Sequence, residues 1–332
     1  MLSVTKKLCH GIVQAECGDL WNPISVDAVM HVIESYHGSA TGKDFTPHHG
    51  MEELRRDLLA ASPELAELRQ NIQDIFSTGC CGIFASGVGL SEFNPDRRFA
   101  LLYALCFTLG YPTPTDIKHK RLLWDVKPRK LEKGHFATFS EHSDRADMHT
   151  DTQYFPMPER FFILYAIRAA RYGGGKSIIC DGRQLKARLF ETAAGRQAYE
   201  LLSKTPLPFR IPTSFTQDAR IESLEVIEAP IFAEKPFLRF RLDTLMAGLR
   251  LKPWLDTPEV RVAIQTLLET LQEKVETSVY SIADDEMCIV DNHVALHGRT
   301  SFDDPERHFI RVRMSERSYD VDSHPGFDSS GI

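Results

Sequence analysis

The chain has 332 residues, 42% apolar and 26% charged, with a formal net charge of −7. That length buries a sizeable core in one large domain or two small ones, and the negative balance argues against a surface that tracks nucleic-acid phosphates. No run of about eighteen apolar residues is present to span a membrane, no apolar stretch follows the early lysines as in a secretory signal, and seven cysteines without a C-x-x-C spacing fit a reduced, cytoplasmic protein.

Residues 1–120 read as mostly helical. Ser62-Pro63 supplies a cap and a proline at the first helical position, and Leu65, Leu68, Ile72, Ile75 and Phe76 follow at helical spacing. Asn94-Pro95 opens a second helix that Gly110 closes, and "GCCGIFASGV" between them reads as a short buried strand. From residue 121 the character changes. "RLLWDVK", "HFATFS", "RFFILYAI" and "SIICDG" are short aromatic and β-branched runs, and "APIFAEKPFLRFRLD" alternates like a strand. Helical inserts are expected near 183–205 and 257–275, the second capped by Thr257 ahead of Pro258. "EMCIVDNHVALHG" and "RHFIRVRMS" are strand-like, and the polar tail 316–332 reads as loosely ordered. Many short strands with helical inserts predict a single domain, mainly β with α, whose core over 121–315 is a jelly roll, or double-stranded β-helix.

Two His-x-Asp pairs stand close together, His142-Ser143-Asp144 and His149-Thr150-Asp151. On an extended chain the first and third residues share a face, so an imidazole and a carboxylate can bind one metal. A distant histidine would complete the 2-His-1-carboxylate triad that holds non-haem Fe(II) with positions left open. The first pair sits in the polar "SEHSDRAD" and reads as a solvated loop. The second leads into an apolar strand. For the third ligand, His297 follows a strand and precedes Gly298, whereas His293 reads as a turn residue. Downstream, Arg307 and Arg311 are spaced to hold a carboxylate with their planar forks. "ARYGGGKS" mimics a phosphate-binding loop, but position 170 is Ala and a strand-like run follows, so Gly173–Gly175 reads as a tight turn.

Taken together, "MHTDTQYFPMPERFFILYAIRAARYGGGKSIICDG" and the later "VDNHVALHGRTSFDDPERHFIRVRMS" resemble the Fe(II)/2-oxoglutarate-dependent oxygenases of the taurine dioxygenase and clavaminate synthase-like group, over about residues 75–315. The resemblance implies His149, Asp151 and His297 as iron ligands, and Ser177 and Arg307 against the distal carboxylate of 2-oxoglutarate. Arg311 is left to the cosubstrate or the prime substrate. It implies Fe(II), 2-oxoglutarate and O2 as reactants, succinate and CO2 as products, and hydroxylation of a small polar substrate such as an amino acid or a derivative. Desaturation or cyclisation remains open at this stage, as does a jelly-roll isomerase or hydrolase with no use for 2-oxoglutarate. Asp151 argues against halogenation, which needs a small residue there. Tyr154, Arg239 and Arg241 are candidate substrate contacts, the two arginines on one face of a predicted strand. The insert at 183–205 and the loop at 212–225 are candidates for a lid.

Overall fold

The computed structural model describes residues 2–18, 20–38, 42–115, 119–129, 139–211 and 226–322. Its centre is a large sheet. In spatial order this runs β1 (Leu2–Cys9), β2 (Ile12–Cys17), β3 (Gly82–Ser86), β12 (Met287–Asp291), β7 (Phe161–Arg168), β14 (His308–Ser315) and β4 (Tyr111–Thr113). β5 (Trp124–Val126) also pairs with β14. A second sheet runs β11 (Ser278–Tyr280), β8 (Ser177–Asp181), β13 (Ala295–Arg299) and β6 (Ala146–His149). β9 (Leu207–Arg210) and β10 (Val226–Ala229) form a separate hairpin.

Strand periodicity divides the core into layers. On β12, Met287 and Ile289 join one apolar cluster, while Cys288 and Val290 join another. β14 behaves alike: Ile310, Val312 and Met314 enter the first cluster and Phe309 the second, so Arg311 and Arg313 share the parity of Phe309. The first cluster is the contact with the N-terminal helices α1 (Pro23–His37), α2 (Met51–Ala61), α3 (Pro63–Ser77) and α4 (Pro95–Cys106). The second fills the space between the sheets, where Phe84, Phe162 and Phe309 meet Ile179 and Ala295. A third cluster packs the other side of β8 and β13, through Cys180 and Leu296, on α5 (Gly182–Leu189), α6 (Ala193–Lys204), α7 (Leu242–Leu251) and α8 (Pro258–Glu273). The result is a jelly roll flanked by helices.

Capping explains why several of these helices begin where they do. Ser62, Asn94 and Thr257 each accept a hydrogen bond from the third residue beyond, with proline at the first helical position. Other expectations change. The N-terminal region opens with the β1–β2 hairpin, which the sequence hides because β1 is an exposed edge strand with no alternation of buried residues. The insert at 183–205 is two helices, since Thr192 caps a new one. "APIFAEKPFLRFRLD" is not a strand: β10 ends at Ala229, a single bridge joins Phe232 and Leu238, and α7 starts at Leu242. Pro230 and Pro236 offer no N–H to a ladder there. The tail is docked as far as it is described, with Val321 buried and the Tyr319 hydroxyl donating to Pro112 O at 2.5 Å. Most of "HFATFS", the loop at 212–225 and residues 323–332 lie outside the described residues.

Candidate metal centre and anion pocket

Two strands bring the histidines together. β6 pairs with β13 so that His149 faces His297, with ring centroids 4.2 Å apart. Gly298 permits this approach, because a Cβ there would lie 2.7 Å from Ala146 O. Asp151 follows just past the end of β6, and its Oδ1 lies 3.7 Å from His149 Nε2 and 3.8 Å from His297 Nε2. One ligand atom from each residue lies within 4.8 Å of the others. Asp151 and His149 are 5% exposed and His297 is partly buried, so the cluster sits at the inner end of a pocket and not on the surface.

The protonation states suit a divalent cation. Burial lowers the pKa of His149 well below its ordinary value, helped by the nearby His297 and Arg241. Burial also lowers His297, to about 4, against the opposing pull of Asp151. Both imidazoles are therefore neutral at neutral pH, as ligation requires. His149 Nδ1 lies 2.7 Å from Asp147 O. A carbonyl only accepts, so Nδ1 carries the proton and Nε2 is left as the donor atom to a metal. Burial works to raise Asp151, but Arg311, His297, Arg313 and His149 together hold its carboxyl well below the usual range. Two neutral imidazoles and one carboxylate with little else to bind are the donor set of a non-haem iron site.

The loop that carries Asp151 is gripped along its length. Thr150 N donates to Phe240 O at 2.7 Å, and Phe240 N returns a bond to Thr150 Oγ1 at 3.1 Å. Thr152 adopts a left-handed φ of 51° and its hydroxyl donates to Glu159. The Arg239 guanidinium donates to the carbonyls of Gln153, Phe155 and Pro156. Arg239, a candidate substrate contact from sequence, thus donates three hydrogen bonds to the backbone of this loop. Arg241 is paired with Asp243 at 2.7 Å, lies 4.1 Å over the Phe139 ring, and its charge acts on Asp151 and both histidines. Tyr154 packs edge-on to Phe155 in the outer cluster, and burial pushes its hydroxyl up to about 12.

Arg307 has a different environment. It is 1% exposed, with its guanidinium 3.8 Å from the Phe309 ring centroid and 4.8 Å from that of Phe302. Its Nε and Nη1 find no hydrogen-bond partner among the described residues. Burial, and then the charge of Arg299, push its pKa down to about 9. A buried cation without a counter-ion is costly, and an incoming carboxylate relieves that cost. Arg307 lines a pocket with Ser177; Phe162, Leu164 and Val290 form apolar walls, and His149 and His297 stand on the same pocket. The glycine turn makes the room: Gly173, Gly174 and Gly175 all have positive φ, and a Cβ on Gly175 would lie 3.0 Å from Arg307 Nε. Arg311 is instead engaged. Its Nη1 lies 3.1 Å from Asp151 Oδ2 and donates a hydrogen bond to Asp151 Oδ1 at 3.4 Å.

The first His-x-Asp pair takes no part in this cluster. The Asp144 side chain is 91% exposed, and His142 Nδ1 lies 3.9 Å from it. His142 O and Asp144 O accept from Arg299, which also holds Phe139 O. His293 is buried in the turn between β12 and β13, with Nε2 2.8 Å from Pro158 O. Three residues around the site had no role assigned from sequence: Arg299, Phe139 and Asn292. Asn292 and Arg299 both stood inside the stretch "VDNHVALHGR" that carries the resemblance, which marked their places without revealing their partners.

Residues 43–313 match the sequence model of the Taurine catabolism dioxygenase TauD, TfdA family. A 3-((Z)-2-isocyanoethenyl)-1H-indole synthase of Fischerella ambigua (strain UTEX 1903) is 26% identical over 174 residues, or 50% of this chain and 62% of that protein. The chain therefore matches less than two thirds of that relative. Among solved structures, an asparagine oxygenase with Fe(II), 2S,3S-3-hydroxyasparagine and succinate aligns at a TM-score of 0.66 and 18% identity, covering 92% of this chain and 94% of that one. The non-haem iron oxygenase OrfP with Fe and alpha-ketoglutaric acid aligns at 0.60 and 16% identity, covering 91% and 93%. At these identities the two structures share the fold. Among the described residues no helix is long and apolar enough to cross a membrane.

Proposed function

The chain belongs to the TauD, TfdA family of dioxygenases, and on that premise we propose that His149, Asp151 and His297 bind Fe(II), that Arg307 and Ser177 hold the distal carboxylate of 2-oxoglutarate, and that the enzyme hydroxylates an amino acid or an amino-acid derivative. It is a 2-oxoglutarate-dependent non-haem iron dioxygenase. When bound, iron supplies the redox chemistry that couples oxidative decarboxylation of 2-oxoglutarate by O2 to oxidation of an unactivated C–H bond. The protein supplies position, charge and dryness. The neutral rings of His149 and His297 and the ionised Asp151 fix the metal. Arg311 orients the Asp151 carboxylate and adds positive charge on the substrate side. Phe162, Phe302 and Phe309 keep water from the cosubstrate. Arg241, at the edge of the site, and Tyr154 are the candidate substrate contacts.

The observation that carries this reading is the buried Arg307, whose Nε and Nη1 find no hydrogen-bond partner among the described residues, on the same pocket as His149 and His297. A jelly-roll isomerase or hydrolase without 2-oxoglutarate would have no use for it. The asparagine oxygenase and OrfP, whose bound ligands are hydroxylated asparagine and hydroxylated arginine, support the substrate class. A second reading, desaturation, is favoured by the indole synthase, whose named product carries an ethenyl group. The test is an anaerobic optical titration of the Fe(II) protein with 2-oxoglutarate, followed by an amino-acid screen for succinate release. A charge-transfer band lost in His149→Ala supports the site; no band in wild-type protein holding one iron sinks it. A product that gains an oxygen supports hydroxylation, and one that only loses two hydrogens supports desaturation.

A further inference from the structure

Asn292 occupies the turn between β12 and β13 and is 2% exposed. Its side-chain amide is fully engaged by main-chain groups far away in sequence. Oδ1 accepts from Asp151 N at 2.7 Å, and Nδ2 donates to Asp151 O at 3.1 Å and to Glu159 O at 2.8 Å. Only one orientation of the amide satisfies all three bonds, because an N–H must meet an oxygen and a carbonyl must meet an N–H. Asn292 thus grips the peptide groups on both sides of the Asp151 Cα. Its own backbone N–H is also bound, to Arg160 O at 2.6 Å. The next residue, His293, holds Pro158 O. Further along the same turn and strand, β13 delivers His297 opposite His149.

We infer that Asn292 is a positioning residue for the metal-binding carboxylate. One turn then sets two of the three ligands: Asp151 through the amide of Asn292, and His297 through the register of β13. This rests on the reading of His149, Asp151 and His297 as the metal site. The physical reason is that Asp151 lies in a loop with no ladder of its own, beside Thr152 in a left-handed conformation. A side-chain amide that reads both the N–H and the C=O of one residue replaces the missing strand partner. It fixes the Asp151 backbone, and with it the direction of the Cα–Cβ bond, before metal arrives, leaving Arg311 to aim the carboxylate itself.

The test uses Co(II) in place of Fe(II) under anaerobic conditions, because its ligand-field bands report coordination geometry without turnover. Asn292→Ala and Asn292→Asp are compared with wild type and with Leu68→Ala, a cavity in α3 remote from the site. Asn292→Asp keeps an acceptor for Asp151 N–H and loses both donors. The expected result is a loss of Co(II) affinity of roughly 10- to 100-fold in the Asn292 variants, with shifted bands, while Leu68→Ala melts earlier yet binds Co(II) like wild type. Folded Asn292 variants with wild-type affinity and bands would overturn the proposal. Hydrogen exchange at the Asp151 amide of the wild-type apoprotein decides independently of variant folding: strong protection is expected, and exchange as fast as an open loop contradicts the clamp. A wild-type protein that binds no Co(II) overturns the metal reading itself, which separates that failure from this one.

Discussion

Arg307 and Arg311 lie close together on one strand run and meet opposite conditions. Arg311 faces a carboxylate of the protein, whereas two buried donors of Arg307, Nε and Nη1, find no acceptor among the described residues. Arg307→Ala should raise the 2-oxoglutarate concentration needed for half-saturation by about 10- to 100-fold, the worth of a charge-assisted hydrogen-bonded pair. It should leave Co(II) or Fe(II) binding near wild type, and unchanged half-saturation would place the cosubstrate elsewhere. His149→Ala should abolish metal binding while His142→Ala leaves it intact, read by metal content after anaerobic reconstitution. Equal loss in both would mean that the two His-x-Asp pairs are not distinguished by burial as the structure has them. Arg239→Ala should lower stability by about 3 kcal/mol, because it removes a buried cation's bonds to three carbonyls; a thermal melt close to wild type would show that the loop is held without it. Of these residues, His149, Asp151 and His297 could be singled out in sequence because a His-x-Asp pair and a downstream His-Gly fit the resemblance, although His297 lies in the middle of β13 and not at a strand end. Arg239 was not, because its partners are carbonyls, which every residue has.

At the scale of elements, legibility followed locality. The starts of α3, α4 and α8 were readable since a cap and a proline are neighbours in the chain. The β1–β2 hairpin was not, since β1 exposes most of its side chains and gains its place from pairing alone. The role of Asn292 was hidden for the same reason: its hydrogen bonds span 141 and 133 residues. The glycine run between β7 and β8 is a bend with positive φ at all three glycines and a bridge from Gly174 to Phe302, and what it leans on was not visible in sequence. Gly175→Ala tests that contact. A methyl group would enter within 3.0 Å of Arg307 Nε from a residue at φ +62°, so it should cost roughly 1 kcal/mol of stability and also weaken 2-oxoglutarate binding. A loss of stability alone would show that Arg307 can move aside.

Among the described residues, folding holds six imidazoles below their ordinary pKa, those of His37, His48, His142, His149, His293 and His297. His37 is lowered to about 4, chiefly by burial and then by His48, and His297 and His149 are lowered by burial within the site. In the unfolded chain each takes up its proton near its ordinary value of 6.5. Between that pH and about 4 the unfolded state therefore binds more protons, and stability of the apoprotein, complete above the upper limit, falls as pH falls through the window. Asp125 and Asp151, the two carboxylates held furthest down, add their loss only below the ordinary 3.8. Melting temperatures of the apoprotein that stay flat from neutral pH down to about 4 would contradict this, and His37→Phe should flatten part of the slope. The layering has a consequence of another kind. Along β14 the odd-numbered residues Phe309, Arg311 and Arg313 face the chemistry, and the even-numbered Ile310, Val312 and Met314 hold the sheet to the N-terminal helices. Selection can thus alter what the enzyme accepts at one parity without touching what keeps it folded at the other. Only an insertion or deletion within the strand would entangle the two, by exchanging the faces at a stroke.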